Sequence, residues 1–189
     1  MRTRDEVRPT KEDLRAAAGK PIPNVIAPDL RVLFCGINPG LYSAATGHHF
    51  ARPGNRFWRA LYAAGFTDRV LSAYEDRALL ASGYGITNVV ARATAGAAEL
   101  SAAELKAGQG RLTRLLRRYR PKCLAVLGVQ AYRIAFDRPD AQVGRQEEML
   151  SGTMLWLLPN PSGLNAHYQI NDLARLFRAL KDATETGGR

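Results

Sequence analysis

Residues 31–40, RVLFCGINPG, decide how the rest of the chain is read. The apolar run ending at Ile37 has turn signals on both sides and is too short for a buried helix, so it predicts a buried strand over 31–37. It leaves through Asn38-Pro39-Gly40. A proline pushes the residue before it into extended backbone, and a glycine lets the backbone come close to whatever lies beyond the strand.

Working outward from this strand, apolar runs alternate with helical patterns. Upstream, Thr10-Lys-Glu-Asp13 predicts a capped short helix, followed by a proline-broken connector, GKPIPNVIAPDL, reaching residue 30. Downstream, Asn55 caps a helix to about residue 64, with Phe57, Trp58, Leu61 and Tyr62 on its apolar side. A further helical stretch is expected over 68–81 and a β-branched strand over 84–90. Ser101-Ala-Ala-Glu104 is a capping box that opens a long basic helix to Tyr119. Then come a strand at 122–128, a helix at 129–136, a strand at 154–159 and a last helix at about 170–183, with TETGGR (184–189) as a fraying tail.

Strands alternating with helices at these lengths predict an α/β fold. The expected architecture is a three-layer α/β/α sandwich around a mostly parallel central sheet of about four or five strands, in a single domain spanning 1–189. Residues 1–28 form its N-terminal helix and connector. In such sheets ligands bind beyond the carboxyl ends of the strands, which selects the loops 38–54, 91–100, 128–130 and 159–168.

Composition narrows the class. The 189 residues are 46% apolar and carry a formal net charge of +10, a surplus that favours polyanions through counterion release. No apolar run is long enough to span a bilayer and MRTRDEVRPTKEDLR lacks the apolar centre of a signal peptide, so no membrane partner and a cytoplasmic location are expected. Cys35 and Cys123 both lie in apolar runs and read as buried thiols. Two cysteines and three histidines show no metal-ligand spacing, so no metal site is expected.

Two of the selected loops share a pattern: Asn38-Pro39-Gly40-Leu41 and Asn160-Pro161-Ser162-Gly163-Leu164-Asn165. Either one alone is ordinary turn chemistry. On one edge of one sheet they form a candidate site. Across about residues 30–180, GINPGLYSAATGHHF with PGNRFW, YGITNVVARAT and NPSGLN resemble the mismatch-specific uracil/thymine DNA glycosylases, a branch of the uracil-DNA glycosylase superfamily.

The resemblance implies an enzyme that flips uracil from double-stranded DNA, preferentially opposite guanine and with thymine or ethenocytosine as further candidates. It would hydrolyse the N-glycosidic bond as a monomer, needing no metal or organic cofactor and no Schiff-base lysine. Asn38 matches the water-positioning asparagine, with Thr94 and His49 in support of the water and its loop. Ile37, Ser43, Phe50, Asn88 and Asn160 match base-binding positions, Phe50 as the stacking surface and Ser43 as a limit that favours uracil over thymine. Ser162, Gly163, Leu164 and Asn165 match the wedge and phosphate contacts, with Leu164 inserting into the stack.

Three positions depart from related patterns. Asn38 and Asn160 stand where the most efficient uracil glycosylases carry Asp and His, which implies a slower enzyme. Ala91 stands where some relatives place Asp or Glu. The alternatives are a catalytically weak or inactive mismatch-binding module, and a nucleotide-binding enzyme using GINPG, which lacks the glycine spacing of a phosphate-cradling loop.

Overall fold

The computed structural model describes residues 8–186, with side chains through residue 185. The first seven residues of the signal-peptide reading and the last three residues of the expected tail lie outside that range. Five strands form one sheet in the order β2-β1-β3-β5-β4, where β1 is Val32–Gly36, β2 Tyr84–Asn88, β3 Cys123–Leu127, β4 Gly144–Leu150 and β5 Thr153–Leu158. β2, β1, β3 and β5 are mutually parallel and β4 runs antiparallel along the edge of β5. The predicted α/β class and mostly parallel sheet are observed.

The unbroken apolar runs follow from coverage on both faces, because alternate residues of a strand feed opposite layers. Val32 and Phe34 join one core with Ala125, Leu127, Trp156 and Leu158, while Leu33 and Cys35 join the other with Leu124, Val126, Leu155 and Leu157. α3 (Phe57–Ala63) and α6 (Ile170–Thr186) supply the helical side of the first core through Phe57, Leu61, Leu173, Phe177 and Leu180. Phe34 sits at its centre, with the rings of Phe57 and Phe66 both 5.4 Å away edge-on and Phe177 stacked at 6.0 Å. α4 (Ala102–Tyr119) and α5 (Val129–Ala135) cover the second core through Leu105, Leu112, Leu116 and Tyr132.

The connector before β1 closes one sheet edge. Val25 exchanges hydrogen bonds with Ile86 at 2.9 and 2.7 Å, which occupies polar groups that an edge strand would otherwise expose. α1 (Lys11–Ala16) carries the expected capping box from Thr10.

Several boundaries and elements differ from expectation. Residues 68–72 are not helical: a 3-10 helix spans Ala73–Ser82, capped by Ser72 and Glu75. α2 (Leu41–Thr46) begins after Gly40 without a side-chain cap, which left it no sequence signal. β4 is half exposed and polar, so it lacks the apolar run that marked the other strands. α6 continues through Thr186, so the first residues of the expected fraying tail are helical. Among the described residues no helix is long and apolar enough to cross a membrane.

Candidate active site

The loops after β1 and β2 leave the sheet side by side. Val89 N–H donates to Gly36 O at 2.8 Å, Val90 N–H to Ile37 O at 2.9 Å and Thr94 N–H to Pro39 O at 3.1 Å. Beyond them the carboxyl ends of β1, β2, β3 and β5 surround a cleft of about 390 Å³, walled by residues that include Ile37, Asn38, Ser43, His49, Phe50, Asn88, Thr94, Asn160, Ser162, Leu164 and Asn165. The strand-end rule that selected these loops therefore holds. The 128–130 loop instead lines a neighbouring cavity with Ile37 and Asn160.

Asn38 is held by its nitrogen. Its Nδ2 donates to Arg92 O at 3.0 Å and to Thr94 Oγ1 at 2.7 Å, and the Thr94 hydroxyl in turn donates to Gly96 O at 2.8 Å. A carbonyl can only accept, so the Arg92 contact fixes which end of the amide is nitrogen. Both N–H groups are used and Oδ1 has no partner among the described residues, which leaves a fixed acceptor in the cleft wall. Arg92 is itself anchored by Glu104 at 2.5 Å, and that guanidinium beside Glu104 holds its carboxyl down at about 2.

Opposite Asn38 stand an aromatic and a second amide. Phe50 takes a left-handed backbone, φ 54°, and stacks on Phe57 with ring centres 4.1 Å apart. Its N–H has no partner among the described residues. His49 is buried, and its Nε2 donates to Pro23 O at 2.9 Å, so in the neutral ring Nδ1 must accept. Asn88 Nδ2 lies 3.4 Å from that Nδ1 and donates to it. Burial pushes the His49 pKa below its ordinary value, which keeps the ring in this neutral form.

Gly36 makes room for the pair. A Cβ there would lie 2.6 Å from Asn88 Oδ1 and 3.3 Å from the Phe50 ring. Ser43 is buried below, and its Oγ accepts from Ala51 N–H at 3.1 Å, which pins the loop that turns at Phe50.

The second loop is built around the oxygens of Asn160. Its Oδ1 accepts from Ser162 N–H at 2.9 Å and its carbonyl accepts from Asn165 Nδ2 at 3.0 Å. Ser162 Oγ accepts from Leu164 N–H at 3.3 Å, and Leu164 stands 76% exposed at the rim of the cleft. Gly163 presses on the first loop so closely that a Cβ would lie 2.6 Å from Gly54 O.

The cleft gathers Ile37, Asn38, Ser43, His49, Phe50, Asn88, Thr94, Asn160, Ser162, Leu164 and Asn165. Gly163 lies beside it against Gly54, in a smaller cavity shared with Leu164. Ala91 is exposed and does not line the cleft. His48 turns the other way, with Nδ1 3.3 Å from the buried Asp76 Oδ2 and its ring against Tyr74. Among the described residues no cluster of three or more His, Cys, Asp or Glu side chains could hold a metal ion. Both cysteines are buried, and burial pushes each thiol up to about 12.

Two arginines that support the site were not singled out in the sequence. Arg111 on α4 donates to Asn88 O, and burial lowers its pKa. It gets there because Gly108, one turn earlier on the same helix face, admits Val89 O to 2.5 Å from where a Cβ would be. Arg56 donates to carbonyls of the second loop from more than a hundred residues away.

With these parts in one cleft, a family model described as Uracil DNA glycosylase superfamily matches residues 23–183, which takes in every residue lining the cleft except Ile22. The chain belongs to the uracil DNA glycosylase superfamily.

Proposed function

We propose that the protein is a monofunctional glycosylase that excises uracil from duplex DNA, with preference for uracil opposite guanine. The observation that carries this reading is the Asn38 amide, whose bound nitrogen leaves Oδ1 as a fixed acceptor facing a cleft that also holds Phe50 and Asn88. Membership in a family of N-glycosyl hydrolases acting on DNA supports it.

The chemistry assigns each group a task. As the glycosidic bond breaks, the sugar becomes cation-like and the base leaves with its electron pair as an anion. Asn38 Oδ1 accepts a hydrogen bond from a water and holds its oxygen toward the sugar carbon, and the proton released as the water adds goes to the departing base anion. An uncharged amide does this without repelling the departing anion. Phe50, backed by Phe57, gives the flipped base a face on which to stack, and its free N–H is a donor for a developing negative oxygen. Asn88 reads the polar edge of the base, its side chain held by His49 and its carbonyl by Arg111. Thr94 acts through Asn38, since its hydroxyl bonds that amide and Gly96 O.

Leu164, apolar and raised on a loop beside the cleft, serves as the wedge that fills the space left by the base. Ser43, buried under the same wall, restricts room for a thymine methyl and favours uracil. The protein acts as a monomer and without a cofactor.

Incubation with a G·U duplex followed by hot alkali tests the reading. A break at the uracil is expected, absent in Asn38→Ala. Tight binding to the mismatch without a break would replace the enzyme with a binding module. A covalent adduct on borohydride treatment would refute the monofunctional mechanism.

A further inference from the structure

We infer that Arg56 is a positioning residue that makes the wedge loop and the base pocket one mechanical unit, a role that rests on the glycosylase reading above. Its guanidinium spends four of its five N–H groups on the second loop. Nε donates to Pro161 O at 3.4 Å, Nη2 to Ser162 O at 2.7 Å and Asn165 O at 2.8 Å, and Nη1 to Tyr168 O. Its backbone N–H also donates to Pro161 O at 3.0 Å.

Every acceptor is a main-chain carbonyl, and no carboxylate bonds Arg56 among the described residues. A rigid fork that fills four carbonyls of one loop fixes that loop's path more sharply than a point charge. The carbonyls lie on both sides of Leu164, so the exposed leucine rides on a segment clamped before and after it.

Arg56 is also the N-cap of α3, whose first residue, Phe57, stacks behind the Phe50 ring. One residue thus joins the ring behind the flipped base to the loop that replaces it in the duplex. A leucine that enters the stack pulls on the clamp, and the clamp pulls on the Phe50–Phe57 stack. Insertion and pocket closure are thereby coupled through a short covalent and hydrogen-bonded path.

A double-mutant cycle tests this, using Arg56→Ala, Leu164→Ala and both together, in single-turnover excision of uracil from a G·U duplex. If Arg56 acts through the wedge, R56A lowers the rate about tenfold in the parent and less than about twofold once Leu164 is gone. Equal losses in both backgrounds overturn the coupling. R56K separates fork from charge: it stays close to R56A if the fork matters, and a rate equal to the parent's overturns the role.

Hydrogen exchange in 162–168 gives a readout free of catalysis and uses R56K, which keeps the aliphatic stem. Protection is expected to fall about tenfold in R56K while the β1 and β3 amides keep theirs. Unchanged protection overturns the clamp. A parent that excises no uracil defeats the glycosylase reading and leaves the exchange result to judge the clamp alone.

Discussion

The two Asn-Pro loops begin alike and end with opposite polarity. Asn38 has both amide hydrogens bonded, to Arg92 O and Thr94 Oγ1, and offers its oxygen. Asn160 has its Oδ1 bonded to Ser162 N–H and its carbonyl bonded to Asn165, so what it offers the cleft is its Nδ2 donors. One dipeptide at two strand ends therefore yields an acceptor suited to water and a donor suited to an anion or a base carbonyl. The environment of each amide, rather than its identity, decides which role it can fill.

The largest expected effect comes from breaking the acceptor. On the proposed role, Asn38→Ala removes the fixed acceptor that holds the water, and excision should fall by about 100-fold or more, the scale on which misplacing a reactant acts. Asn38→Asp sharpens the point. A carboxylate cannot donate to Arg92 O, so it loses the two bonds that aim the asparagine and places a negative charge beside a departing anion. Single-turnover rates on a G·U duplex, with thermal unfolding as a control for folding, distinguish loss of chemistry from loss of structure.

Next in size is a change beneath the first loop. Gly36→Ala puts a methyl 2.6 Å from Asn88 Oδ1 and 3.3 Å from Phe50, with no unusual φ to complicate it. Crowding of this kind costs about 1–3 kcal/mol of stability. If the proposed reading of the base by Asn88 holds, displacing its amide by a few tenths of an ångström should lower excision about tenfold. A variant with parental rate and parental melting temperature would mean that Asn88 is free to move.

How much of this was legible in the sequence follows from where each signal sat. β1, β3 and β5 were readable because burial on both faces made their apolar runs continuous, β2 from its β-branched residues, and the long helix α4 because Ser101 and Glu104 cap it. β4 was not, since an edge strand with one wet face has a pattern close to that of a loop. In the site, Asn38, Phe50 and Asn88 lie inside motifs. Arg56 was visible only as one letter of GNRFW, and Arg111 only as one more cation in a basic helix. Their partners are carbonyls of residues far along the chain, and a carbonyl leaves no mark in a sequence.

The donor in the second loop can be broken without disturbing the turn. Asn160→Asp keeps the oxygen that accepts from Ser162 N–H and replaces the donor with a negative charge. Affinity for duplex DNA should fall about tenfold at low salt, and the loss should shrink as salt rises because the repulsion is screened. Asn160→Ala removes both the donor and the turn bond, and so should also loosen 162–165 in hydrogen exchange. Equal losses in the two variants with no salt dependence would remove the donor from the account and leave only the turn.

The smallest effect is set by pH and falls on the first loop. His49 is buried, and desolvation holds its folded pKa below the ordinary 6.5. The unfolded chain therefore binds a proton that the folded chain resists, so this contribution to stability is complete above pH 6.5 and is lost as pH falls toward the lowered folded value. A protonated ring would also turn Nδ1 into a donor facing Asn88 Nδ2, which removes the bond that orients the Asn88 amide. The melting temperature should drop by about 2–4 °C for each 1 kcal/mol lost, with amides at 48–51 exchanging faster before those at 162–165. His49→Gln cannot titrate in this range, so its melting temperature should change less between pH 7 and pH 5.5. If the variant and the parent lose stability in parallel, the acid sensitivity belongs to other groups and the two loops share it.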